Sequence, residues 1–372
     1  MSDLPEPDRV DGAPHPRETM ARFGHARAEA DILRAIADKR LHHAWLITGP
    51  RGVGKATLAW RFARYLIATP PQEDGPSLFG DPPPPPDTLD IAPDHPAARR
   101  IAALSDPGLM LIRRGASDDG KRLKSQITVD EVRKLNAFFG LSASDGGMRV
   151  VIVDSADEMN VSAANALLKL LEEPPKRTVL LLIAHQPSRL LPTIRSRCRE
   201  LRLSALGPDD LAKALAAAGA EVPDAAALAE ISGGSVGRAL TLLNEDGVAL
   251  YGEIIDLLSD LPRLDRQKAL KLAERVSARG ATTRLDLTLD LIDLALSRAA
   301  RTGSGLPPNV EAVPGEAEVL AKLAPTPARA RALAELQQSA RARIDHGRAV
   351  NVDPQSLLLD LFLAANAVAA FA

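Results

Sequence analysis

Short, unbroken apolar runs alternate with helix-period patterns through roughly the first 205 residues of the chain. Runs rich in Val, Ile and Leu have the length of buried strands, and they occupy residues 44–48, 109–112, 149–154 and 178–183. The segments between them repeat apolar residues at helical spacing, over residues 28–38, 57–68, 129–139 and 162–172. Such alternation predicts a doubly wound α/β domain with a parallel sheet.

From about residue 206 onward the pattern is helical throughout. Three short helices separated by glycines are predicted at residues 208–218, 224–232 and 237–243, followed by longer stretches rich in Ala and Leu. Residues 285–291 alternate like a strand, but their leucines also fit i, i+4 spacing between helical neighbours, so we predict helix there. These changes of pattern predict three domains, which are an α/β domain (1–205), a small helical domain (206–248) and a helical C-terminal domain (249–372).

Two segments interrupt this order. Residues 1–18 are polar and rich in proline, and we predict a flexible arm there. Residues 70–106 contain five consecutive prolines, at 82–86, which exclude helix, so an extended surface insertion is predicted. A spacer and a ligand for a proline-binding partner are both compatible with that run.

The amino-acid composition argues against several functional classes of protein. The 46 basic and 48 acidic residues give a net charge of −2, which argues against a protein that coats nucleic acid by itself. One cysteine excludes both an intramolecular disulfide and a four-cysteine zinc site, so no zinc is expected. The apolar runs are shorter than the roughly 20 residues of a membrane span, and the acidic start does not resemble a secretory leader. We therefore expect a cytoplasmic protein without a membrane partner.

Residues 49–57, Gly-Pro-Arg-Gly-Val-Gly-Lys-Ala-Thr, lie between a predicted strand and a predicted helix and nearly match the phosphate-loop pattern G-x-x-x-x-G-K-[ST]. Glycines let backbone N–H groups surround phosphates, the lysine neutralises them, and the last hydroxyl binds magnesium. That last position is Ala56, and the next residue points about 100° away along the helix. We expect nucleotide binding without efficient hydrolysis, or a loop kept only as a structural turn. The candidate binding residues are Gly49, Gly52, Gly54, Lys55 and Thr57.

Asp154 ends the third apolar run, where a carboxylate can hold magnesium in phosphate-loop enzymes. Ser155 follows it, and a serine hydroxyl without a neighbouring base cannot accept a proton near neutral pH. The general-base role therefore has no obvious occupant. Asp157 and Glu158 are expected at the start of the next helix, where they would interact favourably with its dipole rather than catalyse.

Two arginines are further candidates. Arg197, in Ser-Arg-Cys, could reach a nucleotide on a neighbouring subunit as an arginine finger, or could belong to an exposed basic cluster with Arg195 and Arg199. Arg238 follows a glycine-rich turn and either contacts the phosphates or is solvated. Cys198 is interpreted as a small buried apolar residue.

Three segments together resemble the bacterial DNA polymerase III clamp-loader subunits of the AAA+ class. They are His-His-Ala-Trp-Leu at residues 42–46, Asn-Ala-Leu-Leu-Lys-Leu-Leu-Glu-Glu-Pro-Pro at 165–175, and Ser-Arg-Cys at 196–198. The resemblance spans roughly residues 20–245. Ala56 and Gly-Ser-Val-Gly-Arg-Ala-Leu at 234–240 are most similar to the delta-prime branch of the family, since motor subunits keep Thr or Ser at position 56 and Glu at 155.

The resemblance implies an AAA+ phosphate-loop domain, a helical lid and a helical collar. It implies a stator that hydrolyses little or no ATP, with Arg197 acting on the ATP of a gamma/tau-like motor subunit. The delta subunit, the sliding clamp and primed DNA are the other implied partners. Two departures stand out, because the four-cysteine zinc module of many relatives is missing and residues 184–186 show no clear match to the nucleotide-sensing residue.

Two other functions fit parts of the sequence. An active AAA+ ATPase, either a motor subunit or a remodelling enzyme, would use Lys55 and Asp154, and the purified chain would then hydrolyse ATP in a manner abolished by Lys55→Ala. A phosphate-loop kinase would transfer phosphate to a small acceptor, but two helical regions after the sheet disfavour it.

Overall fold

The computed structural model describes residues 6, 7, 9, 12–69, 86–117, 122–140, 147–278, 282–350 and 352–370. The chain divides into two compact units. Unit 1 comprises Met1–Ala214 and Ser235–Gly237, and unit 2 comprises Leu215–Gly234 and Arg238–Ala372. Residues of the predicted small helical domain, 206–248, are therefore distributed over both units, and the division into three domains stays a prediction.

Unit 1 is built on a five-stranded parallel sheet in the order β2-β3-β4-β1-β5. The strands are β1 (Ala44–Thr48), β2 (Leu109–Ile112), β3 (Arg149–Val153), β4 (Thr178–Ala184) and β5 (Arg199–Arg202). The first four lie where the apolar runs predicted them. β5 was not predicted, because of its four residues, Arg-Glu-Leu-Arg, only Leu201 is apolar and buried. Its pairing with β1, rather than its own pattern, makes it a strand.

Helices cover both faces of the sheet, as parallel strands require. They are α1 (Ala26–Ala37), α2 (Lys55–Ala68), α3 (Pro96–Ala102), α4 (Val129–Gly140), α5 (Val161–Glu172) and α6 (Pro192–Arg195), and α7 (Pro208–Ala217) follows β5 in the chain. Trp45 and Ile47 of β1 join the core cluster that contains residues of α1 and α2, while Ala44 and Leu46 join the one that contains residues of α4 and α5. The two-residue period of a strand thus divides β1 between two cores.

The two irregular segments differ from prediction. His15, in the predicted flexible arm, is only 1% exposed and packs edge-on against Trp60 of α2. The predicted extended insertion contains α3, which starts at Pro96, a position where proline is tolerated because the first helical N–H has no partner. The predictions for residues 70–85 fall outside the described residues.

The part of the chain described after residue 217 is helical. Its helices are α8 (Ala225–Ser232), α9 (Val236–Asn244), α10 (Gly247–Ser259), α11 (Arg266–Val276), α12 (Thr282–Gly303), α13 (Glu316–Leu323), α14 (Pro327–Ala349) and α15 (Pro354–Ala370). Residues 285–291 lie within α12, which confirms the helical prediction. Leu287, Leu289 and Leu291 are all buried, because α12 packs against α10, α13 and α14 at once. The predicted fold class, a parallel α/β domain ahead of helical regions, is confirmed.

A buried carboxylate organises unit 2. Glu316 is fully buried and accepts hydrogen bonds from the Tyr251 hydroxyl (2.7 Å) and from Arg298 Nε (2.7 Å). The N–H of Ala312 donates to its second oxygen, and Arg298 also pairs with Glu230 at 2.9 Å. These partners supply the compensation that a buried charge needs.

Within the described ranges, every helix is too short or too polar to cross a membrane.

Candidate functional site

The phosphate loop connects the carboxyl end of β1 to the first residue of α2. Gly49, Gly52 and Gly54 have φ angles of 142°, 74° and 100°, in the region that favours glycine. A Cβ at Gly49 would lie 2.3 Å from the Leu203 carbonyl oxygen, and one at Gly52 would lie 2.1 Å from Ser235 Oγ. The loop conformation therefore depends on glycine at both positions for space as well as for φ.

The loop has the groups needed to bind a phosphate. α2 has 14 residues and begins at Lys55, so the N–H groups of its first turn lack intrahelical acceptors and lie at the positive end of the helix dipole. His25 Nε2 lies 2.7 Å from the Val53 carbonyl oxygen and so ties the loop to the start of α1. Backbone donors at the start of a helix are typical of a site for phosphate and other anions.

Lys55 supplies the positive charge of the site. It is 3% exposed, and its Nζ donates to the carbonyl oxygens of Gly49 (2.7 Å) and Pro50. Burial lowers the pKa of Lys55 to about 8, although the carboxylates of Asp154 and Asp157 oppose the shift. The amine is therefore mostly charged at pH 7 and able to neutralise a phosphate.

Magnesium fits the site less well than phosphate does. Ala56 presents a methyl group at the position of the usual ligand hydroxyl, and Thr57, the next residue of α2, is half-buried. Asp154 follows β3 and is 7% exposed, so one carboxylate of a magnesium site is retained. The chemistry of this donor set favours phosphate binding over metal-dependent hydrolysis.

Ser155 has a basic neighbour, contrary to the expectation from the sequence. Its Oγ lies 3.1 Å from Nε2 of His185, which directly follows β4. Burial, followed by the charges of Lys55 and Arg51, lowers the pKa of His185 to about 4. The imidazole is therefore neutral and weakly basic at pH 7, far from the pKa that suits a general base. In the sequence, His185 was visible only as a polar residue after a predicted buried strand. It was not named as a site residue, because residues 184–186 show no clear match to the nucleotide-sensing residue of the family.

Asp157 and Glu158 belong to a single 3₁₀ turn, Ala156–Glu158, and α5 begins only at Val161. The prediction that these carboxylates start the next helix and interact with its dipole is therefore wrong. The Asp157 carboxylate accepts hydrogen bonds from the backbone N–H groups of His185 (3.1 Å) and Gln186 (2.9 Å). Glu158 pairs with Arg51 of the phosphate loop and with Arg114, both at 2.9 Å. These contacts give both carboxylates structural partners at the carboxyl edge of the sheet.

Arg197 lies between α6 and β5, away from the phosphate loop. Its Nη1 donates to the Thr193 carbonyl oxygen (3.1 Å), and its Nη2 lies 2.9 Å from Oε1 of Glu172, the last residue of α5. The side chain is 37% exposed. The guanidinium is thus held in place yet open to solvent on one side.

The remaining two residues singled out in the sequence, Cys198 and Arg238, have different surroundings. Cys198 is half-buried rather than buried as predicted, and it packs against the core of the sheet. Burial raises the pKa of its thiol to about 12, so the thiol stays protonated. Arg238 belongs to unit 2, where its charge lowers the pKa of Asp290 against the larger effect of burial, which raises it. Its predicted contact with a nucleotide stays a prediction.

Comparison with known proteins finds similarity to subunits of bacterial DNA polymerase III. The family described as "DNA polymerase III, delta subunit" matches residues 24–207. The "DNA polymerase III subunit delta'" of Pseudomonas aeruginosa is 36% identical over 62% of this chain and 65% of its own length, and that of Escherichia coli is 33% identical over 56% of each. The matched region thus covers less than two thirds of the length of these relatives.

More distant similarity includes the "DNA polymerase III subunit gamma/tau" of Mycobacterium tuberculosis, 29% identical over 52% of this chain and 30% of its own length. Among solved structures, a gamma subunit-related protein of Thermotoga maritima aligns with 91% of this chain and 99% of its own, at 18% identity and a TM-score of 0.42.

Proposed function

Since the chain belongs to the bacterial DNA polymerase III delta-prime family, we propose that it is the stator subunit of a cytoplasmic clamp loader. In this role it assembles with gamma/tau-like motor subunits and a delta subunit, and the complex loads the sliding clamp onto primed DNA during replication. Its own contribution to hydrolysis is Arg197, supplied to the ATP of the neighbouring motor subunit.

One observation carries this proposal, namely that Arg197 and the phosphate loop lie at opposite ends of two adjacent parallel strands, Arg197 before the start of β5 and the loop after the end of β1. β5 runs parallel to β1, with Arg199 beside Trp45 at its start and Arg202 beside Thr48 at its end. Arg197 precedes β5, whereas Gly49 follows β1. The four residue-to-residue steps from Trp45 to Gly49 span roughly 13 Å at the rise of a strand, and Arg197 lies before Arg199, so it is placed away from a nucleotide in its own loop. A finger role for it requires a second subunit.

We further propose that the loop binds ATP without turnover. The glycine conformation, the start of α2 and Lys55 support phosphate binding, while Ala56 and the weakly basic His185 argue against hydrolysis. ATP bound in this way would stabilise unit 1 rather than drive a cycle.

The finger is tested by Arg197→Ala in a reconstituted complex of motor subunits, delta subunit, clamp and primed DNA. An arginine finger contributes about 10³-fold or more at its own site, so we expect turnover at the one site that faces this subunit to be lost. Total ATPase activity should fall accordingly, while size-exclusion chromatography shows unchanged assembly. Arg195→Ala, a neighbouring arginine of the same basic cluster, is the matched control. Unchanged turnover with Arg197→Ala would contradict the proposal.

A further inference from the structure

The ion pair between Glu172 and Arg197 joins the end of α5 to the segment before β5. We infer that Glu172 is a positioning residue, which holds the Arg197 guanidinium in the orientation in which it meets the nucleotide of the neighbouring subunit. This inference rests on the proposed finger role of Arg197.

The position of Glu172 in α5 is unfavourable for the helix itself. It is the last helical residue, where the negative end of the helix dipole repels a carboxylate. A carboxylate there gains its compensation from Arg197, at 2.9 Å. Helix stability alone would favour a neutral or basic residue at this position, so the glutamate has to be explained by its partner.

The two groups that hold the Arg197 guanidinium, the Glu172 carboxylate and the Thr193 carbonyl, belong to helices of unit 1. Next to Glu172, Leu171 is buried in the core and its carbonyl oxygen lies 3.1 Å from His43 Nε2, so the end of α5 is held against the start of β1. The second anchor is the carbonyl oxygen of Thr193 in α6, 3.1 Å from Nη1. Arg197 is therefore held at two points that belong to different helices.

The guanidinium keeps donors for a phosphate while it is held. It carries five N–H groups in a planar fork, and these two contacts engage one N–H on Nη1 and one on Nη2. An arginine side chain loses much rotamer freedom when it is fixed, and an anchor present before assembly reduces that loss at the moment of contact. Positioning of this kind raises the rate without a contact between Glu172 and ATP.

The ion pair is too weak to withhold Arg197 from a nucleotide. The two side chains are 37% and 49% exposed, so water and salt screen their attraction. A triphosphate carries more charge and accepts several charge-assisted hydrogen bonds. Glu172 therefore orients the arginine rather than sequestering it.

The test is Glu172→Ala in the reconstituted complex, assayed for ATPase activity at varied ATP concentration. We expect kcat at the affected site to fall two- to five-fold, the range of measured exposed ion pairs, with KM and assembly unchanged. Glu172→Gln keeps an acceptor oxygen without the charge and should recover part of the loss. Glu173→Ala, the adjacent exposed glutamate, is the matched control and should not change turnover.

Combination with Arg197→Ala separates positioning from a general structural effect. If Glu172 acts through Arg197, Glu172→Ala causes no further loss in the Arg197→Ala background. An equal loss in both backgrounds, or a gain in turnover from Glu172→Ala alone, would overturn the inference. An Arg197→Ala variant without any effect would instead reject the finger itself. Loss with Arg197→Ala but not with Glu172→Ala would reject only the positioning role.

Discussion

At the scale of single residues, two features of the loop region oppose hydrolysis. Ala56 offers a metal ion no ligand, and His185, beside Ser155, is a weak base at neutral pH because its pKa is about 4. The first feature could be predicted, since it is a residue identity within a fixed motif. The second could not, because Ser155 and His185 are 30 positions apart and meet only where β3 and β4 pair.

The residue-scale prediction concerns nucleotide binding. We expect the purified chain to bind a fluorescent ATP analogue equally well in magnesium or EDTA, and to release no phosphate. Lys55→Ala should weaken binding about tenfold, since a hydrogen bond to a charged group contributes about 1.5 kcal/mol or more. Because the charged amine attracts phosphate and its pKa is about 8, affinity should fall as the pH rises from 7 to 9.

Lys169→Ala, which removes an exposed lysine of α5, is the control for this measurement. Phosphate release by the chain alone that disappears with Lys55→Ala would favour the active ATPase instead. Absence of any binding would leave the loop as a structural turn.

At the scale of elements, the hydrophobic pattern of α2 predicted the helix but not the burial of its charged residues. The apolar period predicted the helix, but two of its arginines, Arg61 and Arg64, are each only 2% exposed. The Arg64 Nη2 donates to the Arg17 carbonyl oxygen, and Arg61 pairs with Glu29 of α1 at 2.9 Å. Arginine usually indicates a solvated face, so the covering of this face by the N-terminal segment was not visible in the sequence.

The element-scale prediction tests the contact between α1 and α2. Glu29→Gln should lower the free energy of unfolding by about 2 kcal/mol, because Arg61 loses its buried counter-charge and keeps the exposed carboxylate of Asp90, at 2.8 Å. Asp31→Asn, in the exposed pair with Arg34 on the same helix, should change it by less than about 0.5 kcal/mol. Urea unfolding followed by tryptophan fluorescence measures both. Equal effects would contradict the assigned role of Glu29.

At the scale of the whole molecule, the two units are built around different frameworks. Unit 1 is a sheet with an apolar core on each face, whereas the helices of unit 2 bury apolar side chains together with the charged pair of Glu316 and Arg298. Both tryptophans, Trp45 and Trp60, lie in unit 1. Fluorescence therefore reports on unit 1, while far-ultraviolet circular dichroism reports on helices of both.

Glu316→Gln should destabilise unit 2 by about 3 kcal/mol, since Arg298 would lose its buried counter-charge. The urea midpoint seen by circular dichroism should fall, and the midpoint seen by tryptophan fluorescence should move less. Glu253→Gln, which alters the exposed pair with Arg275, is the control and should leave both midpoints unchanged. An unshifted circular dichroism midpoint for Glu316→Gln would contradict the role of this charged pair.

The sequence by itself determined the alternation of the first four strands with helices, the loss of the hydroxyl at Ala56 and the candidacy of Arg197, because these depend on local periodicity and residue identity. β5 and α3 were not predicted, since β5 depends on pairing with β1 and α3 lies in a proline-rich segment that was predicted to be extended. Only the tertiary structure decided that Arg197 and the phosphate loop lie at opposite ends of adjacent strands, that His185 lies beside Ser155, and that Glu172 pairs with Arg197. Each of these depends on the packing of segments distant in the chain, and for the first two on parallel strand pairing, which fixes distances that no local pattern contains.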